Sequence, residues 1–110
     1  MLRRSFTATV ARNELWQKEA VTEPYECAWA KEAIFFVRAL EAKGPGGQAR
    51  VQISPDGIRW ADEGTRFKLP AKKDAVTFAK VTHFGGYLRL AAALPKGSSV
   101  KVIAALVLKE

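Results

Sequence analysis

Acid–base, nucleophilic and metal chemistry draws on a short menu of side chains, and this chain of 110 residues is poor in them. It holds one histidine, His83, and one cysteine, Cys27. A structural zinc needs four nitrogen or sulfur ligands, and a catalytic zinc would need carboxylates beside both of these residues. A Ser-His-Asp arrangement would have to recruit the same His83, and no Gly-x-Ser-x-Gly elbow is present. His83, between Thr82 and Phe84, reads as a sheet-end side chain with local partners, and Cys27 as a small buried hydrophobe. Carboxylates occur in Asp56, Asp62 and Glu63, and in Glu14, Glu19, Glu23 and Glu26, all in turn or edge contexts. A loop calcium site at Asp56 and Asp62 would match no EF-hand spacing. Gly44-Pro45-Gly46-Gly47 leads into Gln48-Ala49-Arg50, not into the Gly-Lys-Ser/Thr of a phosphate loop. The residues imply no catalytic site, no metal and no cofactor.

Aromatic side chains carry the remaining ligand-like signal. Trp29, Trp60 and Tyr87, with Trp16 and Tyr25, could offer flat faces for sugar or base stacking; the plainer reading packs them in a core. The chain has 18 basic and 11 acidic residues, a formal net charge of +7, with the excess leaning toward its second half. Such a charge attracts anionic partners without naming one. The basic residues are scattered singly or in pairs, such as Arg3-Arg4 and Lys72-Lys73, with no RNA-binding aromatic motif, so nucleic acid is disfavoured.

The elements that must position these residues read mostly as strands. Ser5–Ala11 has β composition; Asn13–Ala20 fits either a turn of helix capped by Asn13 or the continuation of a bent edge strand. Thr22-Glu23-Pro24 breaks the chain, and Tyr25–Ala30 resumes it. Ala33–Glu41 is expected to be a strand that pairs as a hairpin with Gln48–Ser54 across the Gly/Pro cluster. Ser54-Pro55-Asp56-Gly57 is a turn, with Gly57 taking the positive φ. Ile58–Ala61 continues, Asp62-Glu63-Gly64 turns again, and Thr65–Leu69 and Ala75–Val81 alternate as further strands around the charged loop Pro70–Asp74. Tyr87–Leu94 and Val100–Lys109 are expected to form a second hairpin across Pro95–Ser99. Period two puts Val100, Val102, Ala104, Leu106 and Leu108 on one face of the closing strand and Ile103, Ala105 and Val107 on the other.

About eight short strands with frequent turn signals and no long amphipathic helix indicate an all-β, single-domain antiparallel β-sandwich spanning 1–110. With 48% hydrophobic and 26% charged residues the composition is that of a folded domain. The longest apolar run, Val102–Leu108, is far below the roughly 20 residues of a membrane-spanning helix. The start of the chain, Met1 to Ala11, is too short in apolar residues and too rich in Thr for a secretory signal. The chain stays inside the cell, leaves by another route or has lost its signal, and of the open locations a cytoplasmic or particle-associated one is favoured.

Two stretches carry a resemblance. Val51-Gln52-Ile53-Ser54-Pro55-Asp56-Gly57-Ile58-Arg59-Trp60 resembles the V-x-x-S-x-D-G-x-x-W hairpin of jelly-roll and discoidin-like sandwiches. Phe84-Gly85-Gly86-Tyr87-Leu88-Arg89-Leu90 is similar to the strand that often follows it. The resemblance covers about two thirds of the chain. It implies a carbohydrate-binding appendage or an accessory protein of a virion or protein shell, and no catalytic residue transfers with it. The leading expectation is a non-enzymatic assembly module, a homo-oligomer or part of a larger protein assembly, using the strip Ile103, Ala105, Val107. The alternative is a polysaccharide-binding module using Trp29, Trp60 and Tyr87.

Overall fold

The computed structural model describes residues 5–110; the basic pair Arg3-Arg4 and the start of the segment weighed as a signal lie outside them. Nine strands follow one another: β1 (Ser5–Trp16), β2 (Glu19–Val21), β3 (Tyr25–Glu26), β4 (Glu32–Lys43), β5 (Gln48–Ser54), β6 (Ala61–Lys68), β7 (Val76–Thr82), β8 (Tyr87–Ala93) and β9 (Ser99–Lys109). They form two antiparallel sheets. The first sheet has the order β1-β9-β4-β7; the second has β2-β8-β5-β6, with β3 also paired to β8. Each strand of one sheet is followed by a strand of the other, apart from β2 to β3 and β5 to β6. This alternation between two four-membered orders is the jelly-roll path, and it bears out the all-β sandwich.

Alternation decides what lies between the sheets. Phe35, Val37 and Ala39 on β4, Val51 on β5, Leu88 and Leu90 on β8, and Val102 to Leu108 at every second position on β9 are all fully buried. Trp16 and Cys27 close the two ends of this core. Complete burial of a Leu, Val or Phe side chain contributes about 1.5–3 kcal/mol, so this inward set holds the sheets together.

Two local readings are corrected and one open alternative is decided. The two expected hairpins are absent: β4 lies in the first sheet and β5 in the second, and β8 and β9 are likewise split. The Gly/Pro clusters between them are arches that carry the chain from one sheet to the other. Their packing explains it. A Cβ at Gly44 would meet the Gly97 carbonyl oxygen at 2.6 Å, and one at Gly47 would meet the Ala93 carbonyl oxygen at 2.6 Å. The Ser98 hydroxyl donates to the Pro45 carbonyl, tying the two arches side by side. Asp62-Glu63-Gly64 is no turn: it lies within β6, where Gly64 (φ +116) sits in a bulge opposite the Arg50–Gln52 stretch of β5. Of the two readings of Asn13–Ala20, the bent strand holds: Asn13–Trp16 continue β1. Asn13, at φ +57, forms the bulge between Arg12 and Glu14 that turns Trp16 into the core.

Candidate functional site

The sandwich presents two broad outer faces, and the same two-residue period that fills its core decides what each displays. On the first sheet the outward rows read across strands. Thr9, Ala105, Phe36 and Phe78 form the middle row; Thr7, Val107, Ile34 and Lys80 lie on one side of it, and Arg12, Ile103, Arg38 and Val76 on the other. Phe36 and Phe78 stand 6.0 Å apart by ring centroid and remain 36% and 54% exposed, with Val76 at 52%. The strip Ile103, Ala105, Val107 is half-buried along the centre of this patch, flanked by β1 and β4. Glu32, Glu41, Lys80, Lys101 and Lys109 lie around it, and Arg38 pairs with Asp74 at 3.1 Å. The strip was legible in β9; its partners on β4 and β7 were missed. Ile34-Phe35-Phe36-Val37 carried the signal, being apolar at odd and even positions alike.

The second sheet faces outward with polar groups. The Arg89 Nε donates to the Gln52 Oε1 at 2.7 Å, the Gln52 Nε2 to the Asp62 Oδ1 at 3.0 Å, and the Arg50 Nε to that same oxygen at 3.0 Å. Gln52 is 9% exposed, so its amide is fixed by partners on both sides. Arg66 is the cross-strand neighbour of Arg50. The Gln52 amide, then the Arg50 guanidinium, hold the Asp62 carboxyl below the usual carboxylate range, with Arg66 adding to the field. The Arg89 guanidinium lies 4.2 Å above the Trp60 ring, and desolvation there, with Arg50 nearby, lowers its proton affinity.

The Ser54–Gly57 turn caps one end of this face. The Asp56 Oδ1 accepts the backbone N–H groups of Ile58 and Arg59, each at 2.9 Å, and the Ser54 hydroxyl at 3.0 Å. These donors, the backbone pair first, bring the Asp56 carboxyl down to about 2. Gly57 does adopt positive φ (+79), and a Cβ there would touch the Tyr87 ring at 3.5 Å. Asp56 and Asp62 are thus each held by their own donors and do not share a loop site.

The three aromatics weighed as one platform are divided. Trp60 and Tyr87 belong to the outer face of the second sheet. Trp29 lies in the loop after β3, partly buried against the core, and lines a separate groove of about 610 Å³ with Phe6, Pro24, Tyr25 and Glu26. Phe6 and Tyr25 stack there at 6.3 Å. Trp16 is core, its Nε1 donating to the Glu14 carboxylate at 3.2 Å. Cys27 is buried, its thiol pushed up to about 12 by desolvation and then by Glu26, and its amide is bonded to the Gly86 carbonyl at 2.8 Å. His83 stands exposed where β7 ends, at φ +54. Among the described residues no three His, Cys, Asp or Glu side chains are grouped to hold a metal ion.

No protein-family profile matches this sequence, and no curated protein matches it in sequence. Solved structures share its fold. The SPBc2 prophage-derived protein YomS superposes with a TM-score of 0.64 at 5% identity, over 100% of this chain and 96% of YomS. The PBSX exported protein XepA gives 0.59 at 9% identity, over 97% of this chain and 36% of XepA. A chain of the infectious bursal disease virus Gx strain gives 0.51 at 12% identity, over 97% of this chain and 32% of the viral one. The present chain therefore spans nearly all of YomS but only about a third of the other two. At these identities the likeness is one of fold.

Proposed function

We propose that this chain is a non-enzymatic assembly module that packs, through the outer face of its first sheet, into a larger protein particle such as a virion or protein shell. The observation that carries the reading is the solvent-facing row Ala105–Phe36–Phe78, with Ile34, Val76, Ile103 and Val107 around it. Scattered apolar side chains are ordinary on a surface, but seven contiguous ones across three neighbouring strands are not. The shared fold with a prophage-derived protein and with a viral chain supports the same reading.

Magnitude shapes the expectation. Three rows across the three strands β9, β4 and β7, at about 4.8 Å between strands and about 7 Å between rows, give a flat footprint of roughly 300 Å². A stable pair buries about 800 Å² per partner. The apolar patch alone supports weak self-pairing, and firm attachment needs many copies acting together or a partner that also covers the rim.

Light scattering across a concentration series tests this. The mass is expected to climb above that of one chain at high concentration, and Phe36→Asp with Phe78→Asp is expected to hold it at one chain while leaving the far-ultraviolet circular dichroism unchanged. A wild-type mass of one chain at every concentration, or an increase that survives both substitutions, overturns the reading.

A further inference from the structure

The second sheet's outer face has features that self-packing of the first does not use. Arg50, Arg66 and Arg89 share it with a single carboxylate in their midst, that of Asp62. The nearby Glu63 is turned onto the Thr65 amide and hydroxyl. Like charges placed directly across from each other, as Arg50 and Arg66 are, destabilise a sheet; Asp62 offsets part of that cost, and an incoming anion would offset more. Two of the three guanidiniums are also held in place. Gln52 and the Trp60 ring fix Arg89, and Asp62 fixes Arg50, so little side-chain freedom is lost when an anion arrives. Trp60 further borders an apolar groove of about 400 Å³, with Ile53, Pro55, Arg59, Ala61 and Gly85.

We infer that this face is a binding site for an acidic polysaccharide, its carboxylates meeting Arg50, Arg66 and Arg89 and the C–H faces of its sugars lying along the groove beside Trp60. Guanidinium forks match carboxylates in pairs of parallel hydrogen bonds. Nucleic acid fits less well. The Arg89 guanidinium already occupies one face of the Trp60 ring, so a base stacking there would have to displace it. A duplex track spreads its phosphate contacts along a groove, whereas these three arginines are gathered on neighbouring strands. The inference stands apart from the assembly reading, since it concerns the opposite side of the sandwich.

The test is titration calorimetry of the full chain at low salt with polygalacturonate, dextran and an oligothymidylate of matched charge. Polygalacturonate is expected to bind and dextran not to. Arg66→Ala, which alters an exposed side chain, and Arg50→Ala are each expected to weaken binding about tenfold. Arg66→Glu should weaken it further. The double variant Arg38→Ala, Lys80→Ala, which removes two positive charges from the other face, is expected to stay within twofold of wild type. The inference is overturned by any of four results: no polygalacturonate binding; dextran binding equally well; oligothymidylate binding more tightly and losing affinity with the same arginines; or equal losses whichever face is changed, which would mean diffuse attraction to a basic protein.

Discussion

The two outer faces of this sandwich are built by the same rule and end up chemically opposed. Both belong to antiparallel four-stranded orders, and both have their inward residues sealed in one core. Outward, the central strands β9 and β4 place Ile103, Ala105, Val107, Ile34 and Phe36, whereas β5 and β8 place Arg50, Gln52 and Arg89. The first face is apolar along β9, β4 and β7, with its polar side chains and the Arg38–Asp74 pair around that patch. The second is laced by hydrogen bonds that run from Arg89 through Gln52 to Asp62 and Arg50. A jelly roll thus leaves its two outsides free to diverge while the inside stays constant, and here one outside suits dry packing and the other charged recognition.

Neighbouring residues provide the sharpest way to break this comparison. Phe35 and Phe36 sit side by side on β4 but face inward and outward. Phe35→Ala is expected to lower unfolding free energy by about 3–5 kcal/mol, because it empties a fully enclosed volume. Phe36→Ala is expected to cost about 1 kcal/mol or less in the isolated chain. Urea denaturation of both variants measures the difference; equal losses would mean that the outward face is covered within the monomer itself.

Salt should separate the faces next. Self-packing through the first sheet brings together mainly basic rims, including Arg12, Lys80, Lys101 and Lys109, so added salt is expected to strengthen it. Binding of an acidic polymer by the second sheet is expected to weaken about tenfold between low and physiological ionic strength. Light scattering and calorimetry across one salt series check both signs, and parallel trends would erase the distinction.

The smallest effect concerns the turn that closes the second face. The Asp56 carboxyl is depressed to about 2 in the folded chain, against about 3.9 for an unfolded aspartate. A depressed folded value means that its contribution to stability is present above the unfolded value and is lost as pH falls toward 2. Asp56→Ala is therefore expected to lower the melting temperature at pH 7, with the gap from wild type closing between about pH 4 and pH 2. Thermal melts at a series of pH values decide it, and a gap that persists unchanged at pH 2 would contradict the assignment of the turn's stability to this carboxylate.

Much of the inward side was legible in the chain itself. The alternation in Val100–Leu108 predicted which side chains are buried, and Ser54-Pro55-Asp56-Gly57 predicted the turn with its positive φ at Gly57. Pairing was not legible. Gly44–Gly47 and Pro95–Ser99 have the composition of hairpin loops, and only the contact of Gly44 with Gly97 and of Gly47 with Ala93, far away in sequence, makes them arches. Gly64 looked like a turn because a glycine after two acids ends many strands; its bulge depends on the register with β5. The arginine face was hidden for a related reason. Arg50, Arg66 and Arg89 are isolated in the sequence and become neighbours only once β6, β5 and β8 lie side by side.

The position of β9 has a consequence for how the molecule comes into being. In the first sheet it is the direct partner of both β1 and β4, so the earliest strand finds its hydrogen-bonding edge only after the latest one has been synthesised. Until then β1 and one edge of β4 wait with unpaired amides and carbonyls, open to the wrong neighbour. Closure of the sheet is thus a long-range event of the slow kind that cannot precede the synthesis of β9.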